Sequence, residues 1–439
     1  MFALPLGSRT SLAELAASLA DLPGLCWLDG EARHPEGRYS FLGADPVERV
    51  EAGLETREPL ACLDRLEQRV LALRAIATTD GLPPSEVPCF VGYVAYAAHL
   101  PGVPRRLTRP AGRPVLSFAR YDAMVAVDHR EHVASIVGDD RAACERLRSR
   151  LLRGPRVIRP ARTGVLRATA PERHAAAIEA ALAHIAAGDI YQVNLARCFS
   201  AELEGDPLAL FLDLREAGPV PLGMYYDDGR RVVMARTMER FLRWQRDGRT
   251  LVSRPIKGTI ARRGDRDREE AEALRGDAKE RAEHSMIVDL MRNDLGRVAE
   301  VGSVRVPEVM AVEPYAGLSH LVSSVSCRTR TGVSLRQLLE ATFPPGSVTG
   351  TPKLRAMQII EQLESEPRDV YTGTVGFIDR AGGASLAVAI RTAIAEPGSV
   401  RYFAGGGIVE ASNIEREIAE TELKAKVFRD VLTAPSAAR

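Results

Sequence analysis

The sequence has no excess charge of either sign and no long apolar run. Its 439 residues include 59 basic and 58 acidic side chains, which gives a formal net charge of +1. Such a balance provides neither a general attraction for nucleic acid nor an acidic tail for a basic partner. No apolar stretch approaches the roughly 18 residues that a membrane span requires. We therefore expect a globular protein that binds neither nucleic acid nor membranes.

Cysteine is also scarce, and its six positions are widely separated. The absence of a Cys-x-x-Cys pair argues against a zinc site and against a disulfide framework. The first residues lack the basic region and apolar run of a signal peptide. These features predict free cysteines and a cytoplasmic location. The six positions are Cys26, Cys62, Cys89, Cys144, Cys198 and Cys327.

Lysine is the rarest charged residue, with only five among the 59 basic side chains. Arginine could supply simple surface charge, so a retained lysine marks a place where an amine is needed. Lysine can lose its proton when it is desolvated, whereas arginine effectively cannot. Lys257, between Pro-Ile and Gly-Thr, is therefore a candidate nucleophile or general base. The alternative is an ordinary lysine at the end of a strand.

Turn signals divide the chain into two predicted domains. Residues 1–150 combine short strands with a helix over 60–77, and we interpret them as an N-terminal supporting domain. An Arg-rich segment that ends in glycine and proline leads to the second domain, residues 165–434. That domain begins with a helix whose Thr169 and Glu172 have capping-box spacing. The candidate catalytic residues all lie in this second domain.

Two pairs of glutamates are candidate metal ligands. Glu280 and Glu283 lie three residues apart on one predicted helix, and Glu417 and Glu420 lie three apart on another, so each pair shares a helix face. Two such pairs could meet around one divalent cation. Magnesium prefers oxygen ligands and keeps positions for water and an anionic substrate. The alternative is two solvated helix faces with ion pairs such as Glu420 with Lys424.

Glycine-rich segments and one arginine are candidate anion-binding features. The loop over 343–353 opens into a helix, whose first amides favour an anion. Gly405, Gly406 and Gly407 follow a predicted strand and would allow close approach of backbone to a ligand. A β-bulge is the alternative for these glycines. Arg391 ends an apolar strand and either pairs internally or binds a carboxylate. These residues alone suggest a magnesium-dependent enzyme for a small polyanion.

The order of several motifs resembles the chorismate-utilising enzymes, a family that includes anthranilate synthase component I and aminodeoxychorismate synthase component I. The resemblance covers nearly the whole chain and is strongest over residues 170–430. It implies an α/β (α+β) sandwich of two antiparallel sheets flanked by helices, with the active site in the cleft between them. The motifs are Asp-Ile-Tyr-Gln-Val-Asn-Leu at 189–195, Pro-Ile-Lys-Gly-Thr at 255–259, Met-Ile-Val-Asp-Leu-Met-Arg-Asn-Asp-Leu-Gly at 286–296, His-Leu-Val-Ser at 320–323, Pro-Gly-Ser-Val-Thr-Gly-Thr-Pro-Lys at 345–353, Ala-Val-Ala-Ile-Arg-Thr at 387–392 and Ala-Gly-Gly-Gly-Ile-Val at 404–409.

The resemblance implies catalytic roles for three residues. Lys257 would attack chorismate at C2 while the C4 hydroxyl leaves, and ammonia would then add at C4. Glu239 would protonate the departing hydroxyl, although Thr-Met precedes it where the family has Ser-Pro. His320 would lie near the ring, and Gly258 and Thr259 would contact the substrate beside the lysine.

The resemblance also implies a set of binding residues. Mg²⁺ would be held directly by Glu283 and Glu420, and through water by Glu280 and Glu417. Lys424 would add positive charge near the ring carboxylate of chorismate. The enolpyruvyl carboxylate would be held by Tyr371, Arg391 and the amides of Gly405, Gly406 and Gly407.

Lys257 distinguishes between branches of the family. Anthranilate synthases carry Pro-Ile-Ala-Gly-Thr at this place, whereas aminodeoxychorismate synthases carry Pro-Ile-Lys-Gly-Thr, as here. The resemblance therefore implies 4-amino-4-deoxychorismate as the product, for 4-aminobenzoate and folate synthesis, with ammonia from a separate glutaminase subunit. Two alternatives are an anthranilate synthase component I with a variant lysine, and a catalytically silent binding subunit. Residues 26–30 lack the Glu-Ser pair of the tryptophan-inhibited members, so we do not expect tryptophan feedback.

Overall fold

Two large antiparallel sheets flanked by helices make up the protein in the computed structural model, which describes residues 2–6, 11–74, 82–98, 103, 112–261, 267–315 and 318–433. Every pairing among the described strands is antiparallel. This architecture confirms the predicted fold class.

The described helices cover the outer faces of the sheets. The predicted helix over 60–77 corresponds to α2, and its last predicted residues lie outside the described part of the chain. The helices are α1 (Leu12–Leu19), α2 (Cys62–Arg74), α3 (Arg141–Leu151), α4 (Pro171–Ala186), α5 (Pro207–Ala217), α6 (Asp267–Gly276), α7 (Ala278–Gly296), α8 (Leu335–Thr342), α9 (Lys353–Leu363) and α10 (Ile414–Thr433).

The predicted capping box at the start of α4 does not form. Ala170 is the N-cap of this helix and makes no side-chain capping bond. The Thr169 hydroxyl instead accepts a hydrogen bond from the Cys198 amide at 3.1 Å. Thr169 is therefore drawn to the neighbouring strand, and Pro171 begins the helix.

The first sheet contains strands from both ends of the chain. Its order is β1-β8-β7-β3-β2-β12-β13-β22-β23-β11-β10, with β9 and β19 also paired to β11. Its strands are β1 (Phe2–Leu6), β2 (Cys26–Asp29), β3 (Tyr39–Gly43), β7 (Ala123–Asp128), β8 (Val133–Gly138), β9 (Arg162–Thr163), β10 (Arg167–Ala168), β11 (Gln192–Glu204), β12 (Leu222–Asp227), β13 (Val232–Thr237), β19 (Gly350–Thr351), β22 (Thr392–Glu396) and β23 (Ser399–Ile408).

The second sheet also combines strands from distant parts of the chain. Its order is β16-β18-β15-β14-β21-β20-β5-β6-β4, with β17 paired to β18. Its strands are β4 (Glu48–Gly53), β5 (Pro88–Val94), β6 (Pro114–Arg120), β14 (Arg240–Gln245), β15 (Thr250–Arg254), β16 (Ile256–Ala261), β17 (Arg305–Tyr315), β18 (Leu318–Arg328), β20 (Thr374–Asp379) and β21 (Ala384–Val388).

The two predicted domains share both sheets. The boundary between them falls on the segment between α3 and α4. Across that boundary β2 pairs with β12 in the first sheet, and β5 pairs with β20 in the second. The N-terminal residues therefore complete the sheets that carry the candidate site, and they do not form a sheet of their own.

The main core lies between the two sheets. Phe41 of the first sheet packs on Phe377 of the second, with ring centroids 6.4 Å apart. Tyr93 of the second sheet meets Tyr226 of the first at 5.9 Å. These apolar faces leave water together, and this burial is the dominant favourable term in folding.

A buried arginine joins the two sheets at their centre. The Arg231 side chain is 1% exposed and forms ion pairs with Asp228 at 3.1 Å and Asp369 at 2.7 Å. It also donates hydrogen bonds to the Tyr93 hydroxyl and the Pro114 carbonyl oxygen, both at 2.8 Å. Since Tyr93 and Pro114 belong to the second sheet, this guanidinium links both layers.

No helix in the described part of the chain is long and apolar enough to cross a membrane. All six cysteines are free of disulfide bonds.

We expect Arg231→Met to destabilise the protein by about 3–5 kcal/mol, because it removes the arginine that pairs with buried Asp228 and one of the two arginines that pair with Asp369. Urea unfolding at neutral pH measures the change. The control is Arg146→Met, which removes an ion pair to Asp122 from a side chain that is 65% exposed. The control should change the free energy of unfolding by less than about 1 kcal/mol. Equal effects of the two substitutions would contradict the assigned role of Arg231.

Candidate active site

The three consecutive glycines lie inside a strand, not after one. Gly405, Gly406 and Gly407 belong to β23 and pair without interruption with β11. The prediction that they follow a strand is therefore wrong, and no bulge interrupts this register. On the other side of β23, β22 pairs only with residues 399–402. Beyond that point one edge of the glycine segment is open.

Two of the three glycine amides face this open edge. The N–H groups of Asn194 and Ala196 donate to acceptors on the far side of β11, at 2.7 and 2.9 Å. Their partners Gly407 and Gly405 therefore form non-hydrogen-bonded pairs with β11, and turn their own N–H and C=O groups away from it. Gly406 alternates with them and directs its amide into the ladder. Its predicted contribution of an amide to substrate binding is therefore not supported.

The absent side chains let other groups approach the glycine segment closely. A Cβ atom on Gly407 would lie 3.2 Å from Lys257 Nζ, and one on Gly405 would lie 3.0 Å from the Tyr371 hydroxyl. A Cβ atom on Gly406 would point to the opposite face, 3.0 Å from a Glu417 carboxylate oxygen. Lys257 and Glu417 of α10 thus lie on opposite faces of β23, and the open edge of β23 lies between them.

Glu239 is a buried carboxyl group in the same cleft. It lies between β13 and β14 and is 4% exposed. Burial raises its pKa to about 7, although a hydrogen bond from Ser347 and the positive charge of Lys257 both favour the ionised form. A carboxyl group with this pKa is partly protonated at neutral pH and can act as a general acid. The cleft therefore combines an acid with an amine.

Ser347 is a site residue that sequence reasoning did not single out. It lies in the loop over 343–353, which was predicted to bind an anion through helix amides. In the structure the loop opens into α9 at Lys353, and it also brings the Ser347 hydroxyl to Glu239. The turn-rich composition of the loop marked its importance but not its partner.

His320 is buried between the two halves of the cleft. Its Nδ1 donates to the Gly258 carbonyl oxygen at 3.2 Å, and its Tyr315 neighbour packs edge-on at 5.2 Å. Burial, together with the positive charges of Arg391 and Lys424, lowers its pKa to about 4. The imidazole is therefore neutral at neutral pH.

The segment beside Lys257 packs against helix α7. Thr259 pairs with His320 between β16 and β18. Gly258 has a φ of +71°, a left-handed conformation that favours glycine. A Cβ atom on Gly258 would lie 3.0 Å from a Glu280 carboxylate oxygen. A side chain at this position would therefore crowd the Glu280 carboxylate and adopt a backbone conformation that favours glycine.

His284 is a second buried histidine that the sequence did not reveal. It follows Glu283 on α7, is 0% exposed, and its Nε2 lies 2.6 Å from the Ser323 hydroxyl. Burial and the charge of Lys257 lower its pKa to about 4. The adjacent glutamate drew attention to this helix, but nothing in the spacing showed that the histidine faces the lysine.

Arg391 and Lys424 are connected through the C-terminal helix. Arg391 donates to the Lys424 carbonyl oxygen at 2.7 Å, so one of its donors is paired internally. The Lys424 ammonium donates to the Gly405 carbonyl oxygen at 2.7 Å and pairs with Glu420 at 2.6 Å. Both cations therefore lie at the open edge of β23. The ion pair between Glu420 and Lys424, which was the alternative to a metal role, is present.

The four glutamates have the donor chemistry that magnesium prefers, and two of them are buried. Glu283 is 8% exposed and Glu417 is 3% exposed. Glu280 approaches the cleft at Gly258, and Glu417 and Glu420 approach it at Gly406. Within the described residues, however, no three or more His, Cys, Asp or Glu side chains are gathered as a metal site. The donors fit Mg²⁺ in type, and magnesium remains a prediction.

The cleft contains an open glycine edge, the cations Arg391 and Lys424, the buried acid Glu239 and the amine of Lys257. These groups suit a small anionic substrate. Comparisons with known proteins identify the class of protein. The sequence model of the chorismate binding enzyme family matches residues 25–430. The chain belongs to this family.

The chain is similar to members with two different activities. It is 35% identical over 413 residues to aminodeoxychorismate synthase component 1 of Salmonella typhimurium, covering 89% of each chain. It is also 35% identical over 431 residues to anthranilate synthase component 1 of Streptomyces coelicolor, covering 91% of this chain and 82% of the relative. Among solved structures, anthranilate synthase component I of Streptococcus pneumoniae TIGR4 superposes with a TM-score of 0.75 at 30% identity, covering 89% of this chain and 91% of that chain. Overall similarity therefore indicates a component I enzyme without separating the two reactions.

The raised pKa of Glu239 predicts a pH-dependent stability. Its pKa rises from 4.5 to about 7 on folding, so the native state binds the extra proton, and the resulting stability is present below pH 4.5 and lost as pH rises through 7. In Glu239→Gln this dependence disappears. We therefore expect wild type to lose about 2–3 kcal/mol relative to the variant between pH 5 and pH 8.

Urea unfolding of both proteins at the two pH values measures this loss. Glu172→Gln, which alters an exposed glutamate, is the control and should follow wild type. A wild-type stability that tracks Glu239→Gln at both pH values would contradict the raised pKa.

Proposed function

We propose that this protein is an aminodeoxychorismate synthase component I, which converts chorismate and ammonia to 4-amino-4-deoxychorismate and water. The observation that carries this proposal is the position of Lys257, whose Nζ lies 3.2 Å from the Cβ position of Gly407. The amine thus borders the open edge at which an anionic substrate would lie, beside the buried acid Glu239. An alanine here would leave the cleft without a nucleophile.

Chorismate is a dianion, and the open edge offers separate partners for its two carboxylates. The enolpyruvyl carboxylate would accept hydrogen bonds from the amides of Gly405 and Gly407, with Arg391 and Tyr371 beside them. Charge-assisted bonds of this kind are about twice as strong as neutral ones. The ring carboxylate would lie toward the Lys424 ammonium. This arrangement directs the ring toward Lys257.

We further propose that the ring carboxylate is neutralised by Mg²⁺ when that ion is bound. Glu283 and Glu420 would hold the ion directly, and Glu280 and Glu417 would hold it through water. The type of donor supports this assignment, because carboxylate oxygens are the ligands that Mg²⁺ prefers.

The protein residues divide the reaction into two displacements. The Lys257 amine attacks C2, the ring double bonds shift, and the C4 hydroxyl leaves as water with a proton from Glu239. Ammonia then adds at C4, the double bonds shift back, and the bond between C2 and the lysine nitrogen breaks. A pKa of about 7 makes Glu239 a proton donor at neutral pH. The neutral His320 lines the cavity without adding charge.

The second candidate is anthranilate synthase component I. The chain is 35% identical both to the Streptomyces coelicolor anthranilate synthase component 1 and to the Salmonella typhimurium aminodeoxychorismate synthase component 1, so overall identity supports the two candidates equally. In that reaction ammonia adds at C2, where Lys257 would stand in the way. We therefore favour the first reaction, with ammonia from a separate glutaminase subunit, a cytoplasmic location, and a product that serves 4-aminobenzoate and folate synthesis.

We expect wild type, given chorismate, ammonium and Mg²⁺, to form a product that yields 4-aminobenzoate only after aminodeoxychorismate lyase is added. Lys257→Ala should lose this product, because ammonia then has no displaceable amine at C2, and residual turnover should lead toward anthranilate. Chromatography and anthranilate fluorescence measure both products.

The matched control is Lys426→Ala, which removes a 63% exposed lysine paired with Asp430 on the same helix as Lys424. It should retain the wild-type product. Anthranilate as the main wild-type product would establish the second candidate instead. An inert, folded wild type would indicate a binding subunit.

We expect Glu239→Gln to lower kcat by about 10²–10⁴-fold, the usual contribution of a positioned general acid. In wild type, kcat should fall as pH rises through about 7, because the acid loses its proton.

Ser347→Ala removes a hydrogen bond that favours the ionised carboxylate, so the pKa of Glu239 rises and the fall in kcat should move to higher pH. Profiles of kcat against pH check both statements. An unchanged profile in Ser347→Ala would disprove the assigned contact.

A further inference from the structure

Asn194 is a buried polar residue of β11, within the Asp-Ile-Tyr-Gln-Val-Asn-Leu motif at 189–195. The residue is 6% exposed. Its side-chain oxygen, Oδ1, is buried and has no hydrogen-bond partner among the described residues. A buried acceptor left unsatisfied costs about 1–3 kcal/mol, so this oxygen requires an explanation.

The Asn194 oxygen lies in the cleft, on the face of β23 that Lys257 approaches. It is 3.0 Å from the Cβ position of Gly405, the same point that lies 3.0 Å from the Tyr371 hydroxyl. Asn194 is also the direct cross-strand partner of Gly407, whose Cβ position lies 3.2 Å from Lys257 Nζ. Direct partners share one face of a sheet, so the Asn194 side chain lies between the phenol and the amine.

The backbone of Asn194 is held by two other segments of the site. Its N–H donates to the Thr349 carbonyl oxygen at 2.7 Å, and its carbonyl oxygen accepts from Arg368 Nη2 at 2.6 Å. The buried Arg368 guanidinium also donates to the Val348 carbonyl oxygen at 2.9 Å. Both contacts tie β11 to the loop that carries Ser347, the partner of the buried acid.

Arg368 also holds the turn that carries Tyr371. It donates to the hydroxyl of the next residue, Thr372, at 3.2 Å. One buried cation is therefore bonded to the strand of Asn194, to the loop beside Glu239 and to the turn of Tyr371. The Asn194 oxygen is thus held in place relative to the acid and the phenol before a substrate arrives.

The chemistry of chorismate leaves one partner for this oxygen. An amide oxygen is only an acceptor, so it needs a donor. The two carboxylates of chorismate are ionised at neutral pH and only accept hydrogen bonds, and so does its enol ether oxygen. The C4 hydroxyl is the one hydrogen-bond donor of the substrate, and it is also the group that the reaction expels.

We propose that Asn194 is a substrate-binding residue whose Oδ1 accepts a hydrogen bond from the C4 hydroxyl of chorismate. The hydroxyl has a single proton, and its donation to Asn194 leaves the oxygen lone pairs free to receive the proton of Glu239. When the C4–O bond breaks, its electron pair stays on the oxygen, which keeps its own proton, takes the second from Glu239 and leaves as water. This inference rests on the proposed function, in its loss of the C4 hydroxyl.

The analogue 4-deoxychorismate separates this contact from the others in the cleft. It keeps the ring and both carboxylates, but it has no hydroxyl to donate to Asn194 and no leaving group at C4. A site built to hydrogen-bond a substrate hydroxyl rejects the analogue that lacks it, because the buried acceptor is then left unpaired. The measurements are the KM for chorismate and the inhibition constant of 4-deoxychorismate, both taken from ammonium-dependent loss of chorismate.

We expect Asn194→Leu to raise the KM for chorismate about tenfold, because the bound hydroxyl loses its partner. The inhibition constant of 4-deoxychorismate should stay within about twofold of wild type or fall, because the analogue never made this bond. That constant also reports whether the cleft of the variant is intact. Asn194→Ala removes the same oxygen without adding bulk and should behave alike. Gln68→Leu, at an exposed position on α2, is the control and should change neither constant.

An equal rise in the two constants would mean that Asn194 binds a carboxylate or only supports the cleft, and it would overturn the proposal. An unchanged KM for chorismate in both Asn194 variants would also overturn it. Either result leaves consumption of chorismate by wild type intact, whichever aminated product forms. Absence of ammonium-dependent consumption by folded wild type would overturn the proposed function and the contact together.

Discussion

The burial of one guanidinium between the two sheets is the constraint on which the rest of the structure depends. Arg231 holds Asp228 and Asp369, and it reaches Tyr93 of the opposite sheet. Asp369 in turn pairs with Arg401 of β23. Tyr371, which borders the cleft, lies two residues after Asp369 in the chain. A buried charge must be fully paired to be tolerated. The same network that joins the sheets therefore fixes the strand and the turn that border the cleft.

The cleft exists because two neighbouring strands have different lengths. β11 continues along β23 through the glycine segment, whereas β22 ends before it. The open edge leaves the Gly405 and Gly407 amides directed away from the ladder, and the missing side chains let Lys257 approach one face and Glu417 the other. Electrostatic groups that are held in place before the substrate arrives need no reorganisation during reaction. Binding and catalysis thus share a single strand edge.

Much of this site was predictable from residue types and motif order, and the exceptions have physical causes. The scarcity of lysine beside arginine drew attention to Lys257, and spacing on helices identified the glutamate pairs. Ser347 and His284 were missed because serine and histidine have no distinctive local pattern, whether inside a motif, as for Ser347, or just before one, as for His284. Their roles depend on partners that lie far away in the chain, as with Ser347 and Glu239. The capping box at Thr169 failed for a similar reason, since a strand partner competed for its hydroxyl.

The sequence by itself determined the family, the two-sheet class of fold and the presence of a lysine in the Pro-Ile-Lys-Gly-Thr motif, because these depend on residue identity and order. Only the tertiary structure decided that the glycines lie within a paired strand and that burial raises the pKa of Glu239 to about 7. Desolvation and strand register are properties of the surroundings of a residue. Distant segments create those surroundings, so no local pattern can contain them.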